Sequence, residues 1–187
     1  LLVVAAAQLN RLCLYLSPVA LAIVLGYSFA KRFTAAAHLV LGLGLAIAPL
    51  GAWVAVAGSF ALPPVLLALA VVFWVAGFDV IYSLQDEEFD RAEGLRSIPA
   101  RFGAARALQI ARLFHGATLV LLYGVFLSVH GGWLFGAAVV VAGGFLVRQH
   151  RLVSPADLSR VNAAFFTANG WLSVAVFVLG AADVLLR

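Results

Sequence analysis

The chain has 187 residues, of which 65% are hydrophobic and only 11% are charged, and its mean hydropathy is +1.09. That composition excludes a water-soluble domain, because too few polar residues remain to cover its surface. The net charge of +4 does not indicate a nucleic-acid partner, since the basic residues stand at the ends of apolar runs, where membrane topology explains them.

Long apolar runs predict an all-α polytopic membrane helix bundle. Several runs approach or exceed the ~20 residues that span a bilayer as a helix. They are continuously apolar and lack the period-two alternation of β-barrel strands, the other structure that can span a membrane. We expect a single membrane domain over residues 1–187. Its predicted elements are an N-terminal helix stub at 1–9 and six spans at about 12–30, 38–57, 62–84, 104–129, 133–147 and 161–186.

The longest polar stretch of the chain, residues 85–103, separates the third span from the fourth. Gly94 and Pro99 are predicted to interrupt any continuous helix there. Glycine disfavours a helix interior, and proline removes a backbone donor. We therefore expect this segment to lie outside the membrane and not to form one continuous helix.

Lysine and arginine are distributed unevenly between the two sets of loops. Only Arg11 and Arg187 flank the spans on one side. The positive-inside rule therefore predicts a multi-pass protein of the bacterial inner membrane with residues 85–103 in the cytoplasm. The cytoplasmic set is Lys31, Arg32, Arg91, Arg96, Arg101, Arg106, Arg112, Arg148, Arg151 and Arg160.

An acidic stripe, defined as Asp79, Tyr82, Asp86 and Asp90, follows the third span at offsets of 0, 3, 7 and 11 residues. On a continuous α-helix these offsets fall within about 80° of one face. Ionised groups at the edge of a membrane are costly and usually mark a functional site. With no cations alongside, the carboxylates would repel one another, and a bound divalent cation such as Mg²⁺ would relieve that repulsion. A solvated acidic loop is the alternative.

Within the stripe, Asp86 and Asp90 are one helical turn apart and are predicted to be the magnesium ligands. Asp79 is two turns deeper, where it could bind the ion through water or stabilise the site. Tyr82 faces the aspartates and could shield a carbocation with its ring, or could simply pack between helices.

A second candidate pair, Tyr27 and Lys31, ends the first span at i, i+4 spacing. The ammonium could bind a diphosphate, and the phenol could hydrogen-bond to it or to an acceptor molecule. The alternative is an interfacial aromatic anchor beside a snorkelling lysine. Arg96 could contact phosphate, although membrane topology explains it equally well.

The remaining polar residues of the spans carry weaker signals. Asn162 and Asn169 are seven residues apart and either line a cavity or join helices. Four histidines without ligand spacing are predicted to be fillers near span ends: His38, His115, His130 and His150.

The acidic stripe, read as Asp-x-x-Tyr-x-x-x-Asp-x-x-x-Asp, resembles the second aspartate-rich motif of the UbiA superfamily of intramembrane aromatic prenyltransferases. Residues 91–103 and 16–34 also resemble that family. The likeness covers nearly the whole chain and is strongest over residues 12–103. Among its members, the chain is most similar to 4-hydroxybenzoate polyprenyltransferases and related enzymes of menaquinone biosynthesis.

This resemblance implies an activity and a role for each candidate residue. Magnesium would bind the diphosphate of a polyprenyl donor, and an aromatic acceptor such as 4-hydroxybenzoate would attack the resulting allylic cation to give a ubiquinone or menaquinone precursor. The implied roles are metal binding by Asp86, Asp90 and Asp79, diphosphate binding by Lys31 and Arg96, and catalysis by Asp79, Tyr82 and Tyr27.

One family feature is missing from the chain. Family members have nine helices and a first motif, Asn-Asp-x-x-Asp-x-x-x-Asp, which does not occur here. We therefore expect a fragment, the C-terminal two-thirds of a UbiA-like enzyme, and an inactive remnant is an alternative.

Two other functions are alternatives to prenyl transfer. The first is a CDP-alcohol phosphotransferase, but this chain matches only the last aspartate pair of that family's longer motif, with Asp86 and Asp90. A non-enzymatic cation carrier would need more acidic residues at mid-membrane depth. Outside the third span, Asp183 stands alone.

Overall fold

Helices form almost the whole of the chain. The computed structural model describes residues 1–187 and contains no β-strand, only an isolated bridge between Ser154 and Asp157. Six helices are long and apolar enough to cross a membrane, so the predicted all-α bundle of six spans plus a stub is confirmed. In chain order the helices are α1 (Leu2–Leu9), α2 (Arg11–Phe33), α3 (Ala37–Ala57), α4 (Leu62–Tyr82), α5 (Glu87–Ala92), α6 (Ile98–Ser128), α7 (Trp133–Arg151) and α8 (Ala168–Leu185).

Local sequence signals fix where several of these helices begin and end. Asn10 caps α2, because its side-chain oxygen accepts from the Cys13 N–H at 2.9 Å, and its amide donates to the Val54 carbonyl at 2.8 Å. Proline in the first turn of α4 costs no hydrogen bond there. Gly58 ends α3 in the left-handed conformation, with φ at 64°. Together these signals place α3 and α4 as an antiparallel hairpin beside α2.

The central helix is α4, which packs against α3 and α6. Half of its membrane-spanning residues are buried, compared with 6% in α2. Gly42 lets the backbones of α3 and α4 touch, because a Cβ at that position would collide with the carbonyl oxygen of Val72. This close packing gives the last turn of α4, which carries Asp79, a fixed position in the bundle.

The loops gather into two ends of the bundle. The basic end is defined as residues 31–36, 83–103 and 148–161, and the far end as residues 10–11, 58–61, 129–132 and 183–187. At the basic end the Arg96 N–H donates to the Lys31 carbonyl at 2.7 Å. At the far end the Arg187 guanidinium donates to the His130 carbonyl at 2.7 Å. The arginine-rich loops therefore lie together, as the charge distribution predicted.

The segment that carries the acidic stripe departs from the predicted geometry. A 3₁₀ turn, Ser83–Asp86, separates α4 from α5. A 3₁₀ turn rotates the chain by about 120° per residue, against about 100° in an α-helix, so the angular phase shifts across it. The expectation that the stripe lies on one face of an uninterrupted α-helix was wrong.

Glycine and proline shape the rest of the polar segment. Gly94 follows α5 with φ at 67°, so the helix stops there as predicted. Pro99 does not interrupt a helix but lies in the first turn of α6. Gly103, with φ at 76° and ψ at 161°, breaks α6 near the residue where the fourth span was predicted to begin.

Candidate functional site

Asp90 and Lys31 form an ion pair at the basic end. The Lys31 Nζ lies 3.1 Å from Asp90 Oδ2, and the Asp90 side chain is only 2% exposed. A buried carboxylate is costly unless it is paired, and this pair joins α5 to the last turn of α2. The expectation that the stripe has no cations alongside was therefore wrong. The partner comes from a helix 59 residues earlier in the chain.

Asp79 is held by a histidine. His38 is fully buried, and its Nδ1 lies 2.6 Å from Asp79 Oδ2. Its other nitrogen, Nε2, accepts the backbone N–H of Ile98 at 3.2 Å. The prediction that His38 is a filler was wrong, because both ring nitrogens are bonded to separate helices.

The sequence did contain a signal for this pair. His38 stands 20 residues before Gly58, and Asp79 stands 20 residues after Ser59. In an antiparallel hairpin that turns at Gly58-Ser59, two residues equidistant from the turn lie opposite each other. Folding the second span against the third would have predicted this contact.

Asp86 is placed differently from the other two aspartates. It ends the 3₁₀ turn and is exposed, and neither the ion pairs nor the side-chain hydrogen bonds of residues 1–187 include its carboxylate. No group of three or more His, Cys, Asp or Glu side chains converges in a way that could hold a metal ion. The chain therefore offers two carboxylates four residues apart in sequence, Asp86 and Asp90, with unused acceptor oxygens rather than a closed metal cage.

Tyr82 belongs to an aromatic cluster beside the acidic segment. Its half-buried ring lies 4.3 Å from the Phe165 ring and 6.3 Å from the Phe166 ring, measured between centroids. Both phenylalanines belong to a π-helical turn, Ala163–Thr167, which precedes α8. Such turns frequently occur at functional sites. The sequence did not predict this partner of Tyr82.

Tyr27 and Arg96 lie near the same end as Lys31. Tyr27 is 41% exposed and lies one turn before Lys31 on α2. The Arg96 guanidinium donates to the Phe33 carbonyl at 3.0 Å. Arg96 also lines a surface pocket of about 380 Å³ together with Arg91 and Arg101. Both predicted diphosphate-binding cations, Lys31 and Arg96, are thus brought to the end of α2.

The structure also shows the contacts of the asparagines and histidines for which the sequence carried weaker signals. Asn169 joins helices, since it accepts from the Trp74 Nε1–H at 3.1 Å, whereas Asn162 is exposed. His115 and His150 are not simple fillers, because the His115 Nδ1 and the His150 Nε2 lie 2.9 Å apart and connect α6 to α7. His115 lies in the middle of α6, whereas His150 is near the end of α7, as predicted.

Comparison with known proteins identifies the family of this chain. The family model described as the UbiA prenyltransferase family matches residues 1–173. This chain belongs to the UbiA prenyltransferase family. The sequence-based assignment is therefore confirmed at the level of the family.

Relatives within the UbiA family carry one recurring name. The chain is 29% identical over 182 residues to the 4-hydroxybenzoate octaprenyltransferase of Francisella tularensis subsp. tularensis (strain WY96-3418), covering 96% of this chain and 61% of that protein. It is 30% identical over 171 residues to the enzyme of that name from Methylobacillus flagellatus, covering 91% and 57%. The chain thus spans about three-fifths of the length of these curated relatives.

A solved structure of the family has the same fold. The apo structure of a UbiA homolog from Aeropyrum pernix K1 matches with a TM-score of 0.86 and 33% sequence identity. The match covers 97% of this chain and 68% of that protein.

Proposed function

We propose that the gene product containing residues 1–187 transfers a polyprenyl group from polyprenyl diphosphate to an aromatic acceptor. The names of the relatives favour 4-hydroxybenzoate as that acceptor. Ubiquinone or menaquinone biosynthesis is the setting that the sequence resemblance implies. The observation that carries the proposal is the pairing of buried Asp90 with Lys31, beside exposed Asp86, at one end of a membrane bundle. Carboxylates and a cation at this end would meet a diphosphate head that enters from water.

The donor set at this end fits a magnesium diphosphate. Magnesium is usually bound through one or two carboxylates together with substrate phosphates and waters, rather than by an all-protein cage. Asp86 and the second oxygen of Asp90 would hold the ion, and Asp79 would contribute through its own second oxygen. When bound, magnesium neutralises phosphate charge and makes diphosphate a better leaving group.

Lys31 and Arg96 would bind the diphosphate itself. The Lys31 side chain is 31% exposed, so its ammonium can reach a phosphate oxygen while staying close to Asp90. Arg96 uses one terminal nitrogen on the Phe33 carbonyl, which leaves other guanidinium N–H groups for phosphate. Both contacts would strengthen as the carbon–oxygen bond breaks and negative charge gathers on the leaving group.

The aromatic residues would act on the prenyl carbons. The face of Tyr82, supported by Phe165 and Phe166, would stabilise the allylic cation and exclude water from it. Tyr27, on α2, would contact the diphosphate or the acceptor. The acceptor ring then forms a bond to the first prenyl carbon and releases a proton.

The membrane position suits these two substrates. A polyprenyl chain is supplied from the bilayer, whereas its charged head and the aromatic acid are handled at the water boundary. By the positive-inside rule, the basic end would face the cytoplasm of a bacterial inner membrane.

The test is prenyl transfer by the intact gene product in lipid nanodiscs. With a polyprenyl diphosphate and 4-hydroxybenzoate, product should form with magnesium and not with EDTA. Asp86→Ala should abolish it, whereas Asp157→Asn, an exposed carboxylate in another loop of the basic end, should not. Equal activity of Asp86→Ala and wild type would contradict the site. No product from wild type under any condition would instead favour an inactive or non-enzymatic membrane protein.

A further inference from the structure

His38 is a fully buried polar side chain near the candidate site, and both of its ring nitrogens are bonded. Nδ1 meets Asp79 Oδ2 at 2.6 Å, and Nε2 meets the backbone N–H of Ile98 at 3.2 Å. The side chain is fully buried. One imidazole therefore connects three helices, α3, α4 and α6, at the level of the acidic stripe.

The two bonds together define the form of the ring. A backbone N–H can only donate, so Nε2 must present its lone pair to Ile98. The ring proton is then on Nδ1, where it donates to the Asp79 carboxylate. The histidine thus holds one carboxylate oxygen in place and leaves the other oxygen free.

We propose that His38 is a positioning residue that orients Asp79 for the reaction, an inference that rests on the proposed prenyl transfer. Asp79 is 21% exposed, so without a partner its side chain could turn toward water. The bond to His38 restricts the carboxylate to one orientation. Misplacement of a reacting group by about 1 Å can cost about 100-fold in rate, so such a restraint has a large effect on turnover.

The second hydrogen bond of His38, from the Ile98 N–H, holds the start of α6 close to Asp79. The adjoining segment is fixed independently, because the Arg96 N–H donates to the Lys31 carbonyl at 2.7 Å. Loss of His38 should therefore leave the proposed diphosphate contacts of Lys31 and Arg96 in place. The main consequence falls on Asp79. Because Asp86 and Asp90 would still hold the metal diphosphate, the loss should appear in kcat more than in KM for the donor.

Two substitutions separate positioning from packing. His38→Leu fills a similar apolar volume but removes both hydrogen bonds. His38→Gln carries a donor and an acceptor on one amide at the end of a side chain of similar reach. A residue needed only for packing would tolerate leucine at least as well as glutamine.

The experiment compares these variants in the intact gene product, with activity scaled to the folded fraction. His38→Leu should lower kcat by about 10- to 100-fold, the range found for partners that orient an active-site group, with KM for the prenyl donor within about 3-fold. His38→Gln should keep kcat within about 3-fold of wild type. Equal kcat values for leucine and glutamine, or a loss confined to KM, would overturn the proposal.

A spectroscopic measurement tests the same contact without relying on activity. In protein labelled with ¹⁵N-histidine, His38 should show the Nδ1–H neutral tautomer, with its signal identified by its absence in His38→Gln. Asp79→Asn should shift that signal and leave the other three histidines unchanged. An Nε2–H tautomer would refute the positioning role even if the wild type transfers prenyl groups. The Nδ1–H form in a wild type that transfers none would refute only the proposed reaction.

Discussion

Each end of the bundle buries an aspartate, but the two are satisfied in different ways. At the far end, Asp183 is 3% exposed and accepts from the backbone N–H groups of Gly132 at 3.0 Å and Phe135 at 3.2 Å. It also pairs with Arg187 at 2.8 Å. At the basic end, Asp90 is 2% exposed and has one contact, with the Lys31 ammonium.

This difference separates a structural carboxylate from one that is available to a ligand. Both carboxylate oxygens of Asp183 accept hydrogen bonds at the start of α7, where unpaired N–H groups and the helix dipole favour a negative charge. Asp90 keeps one oxygen free, and its lysine partner is partly exposed and can move. Equal burial therefore does not imply an equal role. The number and type of partners distinguish the two ends.

The largest expected effect is on activity at the basic end. Asp90→Asn should lower prenyl transfer by about 100-fold or more, which is typical of losing one electrostatic group at a reacting centre. The unfolding temperature should change little, because the partly exposed Lys31 can turn to water. The measurement is kcat/KM in nanodiscs, together with thermal unfolding in the same preparation. A large drop in stability with unchanged activity would mean that Asp90, like Asp183, has a structural role.

A smaller effect is expected at Lys31. Lys31→Met should raise KM for the prenyl diphosphate by about 10-fold, because a charge-assisted bond to the ligand is lost. Arg32→Gln is the matched control, since Arg32 is the adjacent cation and lies over the Phe29 ring instead. Equal changes in KM for the two variants would mean that only overall charge matters at this end.

The far end should show the opposite response. Asp183→Ala leaves the N–H groups of Gly132 and Phe135 without a partner, which should lower the unfolding temperature by about 5–10 °C. The kcat of the folded protein should stay within about 2-fold. Thermal unfolding in detergent and activity per folded molecule measure the two quantities. A selective loss of kcat would contradict a purely structural role of the far end.

The smallest effect compares two arginine–carboxylate pairs with the same i, i+4 spacing. Arg91 pairs with Glu87 at 2.7 Å on the surface of α5, whereas Arg187 pairs with buried Asp183. Arg91→Gln should lower the unfolding temperature by less than about 2 °C, because exposed ion pairs contribute little. Arg187→Gln should lower it more. Equal shifts would show that burial of the partner does not set the strength of these pairs.

Much of the fold could be predicted from the sequence because the bilayer limits what an apolar run can become. Run length gave the six spans, and the uneven distribution of arginine placed the loops on two sides. The motif from Asp79 to Asp90 indicated the family, which the family model confirms. These signals are local or compositional, so a single sequence carries them.

The missed features depend on contacts between distant segments or on backbone detail. Lys31 meets Asp90 only after α3 and α4 have folded back between them. The 3₁₀ turn, Ser83–Asp86, changes the helix phase through hydrogen bonding and has no clear signal in composition. His38 was predictable in principle from its symmetry with Asp79 about the hairpin turn. Predicting that contact requires folding the second span against the third, because neither span shows it when considered alone.

In the proposed function, Asp86 and Asp90 bind the metal diphosphate at the basic end. The most direct measurement is an experimental structure of the intact gene product with Mn²⁺ in place of magnesium and an unreactive polyprenyl diphosphate analogue. We expect an anomalous manganese signal within about 2.0–2.5 Å of an oxygen from each carboxylate, as for direct coordination, with Lys31 on the diphosphate. Manganese and diphosphate bound elsewhere, with both carboxylates facing only water or Lys31, would contradict it.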